Sequence, residues 1–314
     1  LTNWRFKMKK IIALAVAAVI ATPAMADLTI NGSSRYTVRT IDGDYANDGR
    51  VQFTVAGSTT TETGAFVAAS GTYNINMGAA ESTDDVKIAI GNAAANVTLG
   101  EFEKYKAFND GPDAFQAAVG GAVAAVPGSV NAAGTAFVAA TPAVAATGAQ
   151  GYEGDGNRAR NVNNVALNVT AIEGVDLQLN TTLADTGMNY GIGAGTSLGG
   201  IALKANYEVN DGADNGWGVS AGGAFGDVSA TLSAAANGTD SSTALTVGFM
   251  GLSVQMQKNK SDTAGIADVD HIFGAYTISD VMGVAGASLM VGAGNADDGT
   301  NSVDELGARI SYAF

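Results

Sequence analysis

The chain has 314 residues, a formal charge of −14, no cysteine, 42 glycines and only 4 prolines. Without cysteine there is no disulfide framework, thiolate catalysis, zinc-thiolate site or iron–sulfur centre. The acidic balance argues against nucleic acid, whose phosphates are held by clustered Lys and Arg.

The N-terminus carries an export signal. Met8-Lys9-Lys10 is a basic opening, residues 11–20 form a short apolar run, and Ala24-Met25-Ala26 is a small-x-small cleavage site. Cleavage is expected after Ala26, with residues 1–7 an upstream extension. The apolar run is too short for a bilayer span, which takes about 20 residues. Removing residues 1–26 removes four bases and no acids, which takes the charge from −14 to −18. Residues 27–314 are expected to form a single domain.

From residue 28 onward the pattern alternates at period 2, the mark of strands with two unlike faces. Leu28, Ile30, Tyr36 and Val38 share one face, and Thr29, Asn31, Ser33, Arg35 and Arg39 the other. The alternation predicts sixteen strands, over 28–41, 50–61, 65–76, 85–92, 96–106, 161–172, 175–184, 187–197, 200–209, 215–225, 228–237, 242–250, 252–261, 267–279, 283–294 and 303–314. Every second link is tight, and most of the others, such as 41–49 and 295–301, are longer and acidic. Short turns on one rim and longer loops on the other describe a transmembrane antiparallel β-barrel. Fourteen or eighteen strands also fit the length, and a secreted β-sandwich or β-helix is the soluble alternative.

Residues 107–160 interrupt the pattern. Their middle is almost wholly Ala, Gly, Val, Thr and Pro, and their edges carry Asp110, Asp113, Glu153, Asp155, Arg158 and Arg160. Gly120-Gly121, Pro127 and Pro142 break any membrane helix here. The last strand puts Leu306, Ala308, Ile310, Tyr312 and Phe314 on one face and ends on an aromatic residue.

From the opening DLTINGSSRYTV, through NAAANVTLGEFEKY, to the closing GARISYAF, the chain resembles the Gram-negative general (non-specific) porins, sixteen-stranded trimeric outer-membrane channels. The resemblance implies passive diffusion of small hydrophilic solutes and ions, a homotrimer, outer-membrane lipid and lipopolysaccharide as surroundings, and no cofactor. It also implies that Tyr312 and Phe314 serve as a signal to the outer-membrane assembly machinery. The third external loop, 107–160, would fold into the lumen and narrow it. Its Ala/Val-rich interior departs from the family and leaves the shape of that constriction undefined.

In such a lumen, selectivity comes from charges at the narrowest level. The expected acidic side is Asp110, Asp113, Glu153 and Asp155. The expected basic wall is Arg35, Arg39, Arg50, Lys87 and Arg309, and the excess of acids implies mild cation preference. Asp42, Asp44 and Asp48, or Asp297 and Asp298, could bind structural Ca2+ through carboxylate oxygens, although without EF-hand spacing. The one histidine, His271, follows Asp270, which suggests a proton relay; with no nucleophile elbow or metal-ligand pair nearby, an enzyme is not expected. The alternative function is a non-conducting structural or adhesive barrel whose long loop plugs the channel or projects outward.

Overall fold

A computed structural model describes residues 27–77, 82–102, 104–109, 112, 118–119, 129–130, 137–138, 147–148, 161–183, 189–209, 215–238, 240–261 and 267–314. The export signal, at residues 1–26, lies outside the described residues.

Sixteen antiparallel strands form one closed barrel in sequence order. They are β1 (Asp27–Ile41), β2 (Asp44–Thr60), β3 (Phe66–Asn76), β4 (Ser82–Gly91), β5 (Ala95–Phe102), β6 (Asn161–Val169), β7 (Val175–Thr182) and β8 (Asn189–Leu198). The second half comprises β9 (Ile201–Val209), β10 (Gly216–Phe225), β11 (Val228–Asn237), β12 (Asp240–Phe249), β13 (Leu252–Lys260), β14 (Val269–Ser279), β15 (Ala287–Asp297) and β16 (Ser302–Ala313). Strand β1 pairs with β2 on one side and β16 on the other, so no edge is left unpaired.

The predicted faces hold, but the usual burial order is inverted. Leu28, Ile30, Ile192, Leu232, Met256 and Ile310 point outward and are exposed, while Thr37, Asn74, Asn164, Gln255 and Asn259 point inward and are fully buried. Many of the inward polar groups bond to one another. Gln52 Nε2 donates to Asn74 Oδ1 at 3.0 Å, Gln178 Nε2 to Asn168 Oδ1 at 2.9 Å, and Ser242 Oγ to Asn259 Oδ1 at 2.8 Å. An apolar exterior around hydrogen-bonded Asn, Gln, Ser and Thr suits hydrocarbon outside and water inside. Exposed aromatics fall at two levels. Tyr190, Tyr207 and Trp217 stand toward the loop rim, and Phe225, Phe249, Tyr276 and Tyr312 toward the turn rim. Those are the two interfaces at which amphipathic rings settle.

Three boundaries differ most from the pattern-based expectation, the others shifting by three residues or fewer. Residues 41–49 are not a loop: β1 and β2 continue to Ile41 and Asp44 around the two-residue turn Asp42–Gly43, whose φ values are 51° and 82°. Asp-Gly readily takes two positive φ angles, which is the turn that matches strand twist. The fifteenth strand begins at Ala287 rather than 283, because a short 3-10 turn, Val281–Gly283, and a hydrogen bond from Gly286 N to Asp280 Oδ1 close the preceding link. The fifth strand ends at Phe102 rather than 106, because the chain there turns into the lumen.

The seam is built on Gly32. Its N–H donates to Phe314 O at 2.8 Å and its carbonyl accepts from Phe314 N at 2.9 Å. The Phe314 ring occupies the space where a Cβ would stand. That ring stacks on Tyr312, with centroids 5.7 Å apart, and meets Phe53 edge-on at 6.0 Å. Both residues expected to signal assembly therefore stand at the closing seam.

Candidate functional site: the lumen wall and its strap

The basic wall forms around the seam. Alternation points Arg35 and Arg39 of β1, Arg50 of β2 and Arg309 of β16 inward, and the register sets Arg35 opposite Arg50 and Arg309 opposite Thr37. Arg309 Nε donates to Thr37 Oγ1 at 3.0 Å, and Arg35 Nε lies 3.8 Å from Asp48 Oδ1. Directly opposed like charges destabilise a sheet pair, so the Arg35–Arg50 juxtaposition points to a demand other than stability. Lys87 of β4 faces inward opposite Ser70 of β3, farther toward the turn rim than Arg50.

The opposite wall carries a strap, residues 104–109, which sequence reading assigned partly to the fifth strand. It crosses the inward faces of seven consecutive strands. Tyr105 N donates to Gln178 Oε1 of β7 at 2.8 Å, and the Tyr105 ring lies over Gly193 and Gly195 of β8, where a Cβ at Gly193 would collide with it. Lys104 forms an ion pair with Glu208 of β9, both side chains almost fully buried. Ala107 N donates to Asn206 Oδ1, also of β9, at 3.0 Å. Phe108, beside Gly218 of β10, packs on Ala235 of β11 and Ala244 of β12. Gln255 Nε2 of β13 donates to Asn109 O at 3.4 Å.

The strap explains why this wall is made of small residues: glycine and alanine leave the depth that a second layer of chain needs. Burial, followed by the charge of Asp176, raises the Tyr105 hydroxyl above its ordinary value. Neither Lys104 nor Tyr105 stood out in the sequence. The signal that points to them is the period-two glycine run in NYGIGAGTSL, which marks an inward face cleared for something to lie on.

Farther along, the loop's backbone returns to the wall. Ala118–Val119, paired with Thr147–Gly148, comes beside β15 and β16, and Thr147–Gly148 comes beside β14. On two of these strands, β14 and β16, His271 Nε2 and Glu305 Oε1 are 3.2 Å apart, fully buried on the inward face, and His271 stacks on Phe273 with ring centroids at 6.4 Å. Asp270 points outward, so the His271–Asp270 relay is not formed; Glu305, thirty-four residues on, is the partner.

Asp110, Asp113, Glu153 and Asp155 lie outside the described residues. The candidate calcium carboxylates belong to the β1–β2 hairpin and to the link between β15 and β16. Asp42 sits in the β1–β2 turn, and Asp48 faces Arg35. Asp297 accepts from Gly299 N at 2.6 Å, and Asp298 caps the last loop through Thr300 N and Asn301 N at 2.8 and 2.6 Å. The bonds from Asn301, backbone then side chain, and from Thr300 hold the Asp298 carboxyl below its ordinary value. Among the described residues no three His, Asp or Glu side chains gather as a cation group.

Several solved structures of a porin superpose on this chain. Variants of Rhodopseudomonas blastica porin align over 91% of this chain and 100% of their own at 17% identity, with TM-scores of 0.61 and 0.63. A further structure, described under asymmetric conductivity of engineered proteins, aligns over 92% and 100% at 17% identity with a TM-score of 0.61. The chain has the porin fold. No protein-family model and no curated protein sequence matches it. The strap enters the lumen after β5.

Proposed function

We propose that the protein is an outer-membrane channel through which small hydrophilic solutes and ions diffuse passively. The observation that carries this reading is the closed barrel's inversion: hydrogen-bonded polar side chains line the inside and exposed apolar side chains cover the outside. The fold shared with a protein named porin adds to it. The long loop narrows the lumen from the β7–β13 side, so that its acidic edges face the arginine wall of β1, β2 and β16. In this reading the strongly acidic balance gives a mild cation preference, tempered by the arginines. The assembly is a homotrimer in the outer membrane of a Gram-negative cell.

Purified protein added to a planar bilayer should give stepwise conductance, and reconstituted liposomes should swell in small sugars. A barrel plugged by its loop gives neither, and that result rejects the proposal. Reversal potentials in a salt gradient test the cation preference, and native mass spectrometry tests the trimer.

A further inference from the structure

The wall beneath the strap is almost without charge, which makes its exceptions informative. Strands β6 to β11 carry only three charged residues: Glu208, taken up by Lys104, then Asp176 of β7 and Lys204 of β9. The register sets Asp176 opposite Gly195 of β8, and Gly195 opposite Lys204. An acid and a base therefore stand in one inward row with a glycine between them, on the turn side of the strap. Their Cα atoms are two strand spacings apart, roughly 10 Å. Both side chains are exposed to the lumen, and among the described residues neither is held in an ion pair.

The gap at Gly195 has a third polar group. The Tyr105 ring runs along the wall from Gly193 and ends with its hydroxyl at the place where a Gly195 Cβ would stand. Asp176 is near enough for its charge to act on that hydroxyl. Carboxylate, ammonium and phenol thus converge on one glycine-floored space. A glycine inside a strand weakens it and marks a place where something approaches closely. Even a paired surface acid and base contribute little to stability, and these two are not paired, so folding alone does not account for the row.

We propose that this row is a binding site for zwitterionic α-amino acids on their way through the lumen. The solute's ammonium sits on Asp176 and its carboxylate on Lys204, and the Tyr105 hydroxyl donates to that carboxylate from the strap side of Gly195. The charge pattern selects this class. A dicarboxylate meets Asp176 as a like charge and a diamine meets Lys204 as one, whereas a solute with both signs close together is matched on both sides. The three groups take up the ends common to all α-amino acids and leave the solute's side chain toward the water of the lumen. The inference rests on the channel reading, because the site faces a passage that solutes must cross.

The test is the initial rate of uptake into proteoliposomes of alanine against lactamide. The two solutes are similar in size and both have zero net charge, so the channel's own ion preference does not separate them. Weak binding along the path raises flux at low concentration, and alanine is expected to enter about threefold faster, the scale of two exposed charge contacts. Asp176→Asn and Lys204→Gln are each expected to bring alanine down to the lactamide rate, with lactamide entry unchanged as the sign of an intact barrel. Equal entry of the two solutes through the unaltered protein overturns the site, and so does an alanine preference that survives in either variant. Lactamide entry without alanine preference overturns the site alone, whereas entry of neither solute counts against the channel reading.

Discussion

The two halves of the lumen wall are built on opposite rules. Around the seam, β1, β2 and β16 present long charged side chains, with Arg35 set against Arg50 and a single carboxylate, Asp48, within ion-pair reach of Arg35. Across the barrel, β7 to β13 present glycine, alanine and amide side chains, and the space these leave is filled by residues 104–109. One half keeps its charges toward water at some cost in sheet stability, and the other gives up side-chain bulk to hold a second layer of chain. If the barrel works as the proposed channel, a bare wall would leave it wide, and a strapped wall without opposing charge would leave it unselective.

The difference can be broken first at the strap's ion pair. Glu208→Ala leaves Lys104 buried without its carboxylate, at a cost of about 3–5 kcal/mol. The strap should detach, and limited proteolysis should then cut the 103–160 region while the barrel stays intact. Replacing both partners by leucine should restore much of the protection. Gly193→Val puts methyl groups where the Tyr105 ring lies; at about 1–3 kcal/mol for such overpacking, it should raise open-channel current noise without lowering the barrel's melting temperature. On the other half, Arg35→Gln together with Arg50→Gln should shift the reversal potential toward stronger cation preference.

The smallest effect expected is an alkaline one at Tyr105. Its folded-state pKa is raised, by burial first and by Asp176 second. Its contribution to strap docking is therefore fully present below the ordinary tyrosine value of about 10 and is lost as pH rises through the folded value. Tyr105→Phe should abolish that alkaline rise in protease sensitivity. If the rise persists in the phenylalanine variant, another group is responsible.

Most of the barrel was legible because its rule is local: alternation assigns faces residue by residue, and it gave sixteen strands. It failed where a different local rule won, as at Asp42–Gly43, where turn chemistry shortened a polar stretch that looked like a loop. It failed more deeply at 104–109. Lys104 and Lys106 continue the alternation of the fifth strand, and nothing near them in sequence shows that Glu208 and Gln255 will be beneath the chain. Those contacts depend on the register of seven strands, which a one-dimensional pattern does not carry. His271 shows the same limit, since its neighbour in sequence, Asp270, is on the other side of the wall and its partner, Glu305, is two strands away.

The seam that joins β1 to β16 also sets the order of events during folding. Thr37 and Arg309 meet across 272 residues of chain, whereas every other strand pairs with a neighbour in sequence order. Hairpins can zip early, but the closing pair has the largest loop-closure entropy and forms last. Until it forms, the sheet carries two open edges, and unpaired backbone groups are costly in hydrocarbon. The growing sheet therefore needs a partner for those edges outside the lipid, and insertion and closure become a single event in which Gly32 and Phe314 make the final bonds.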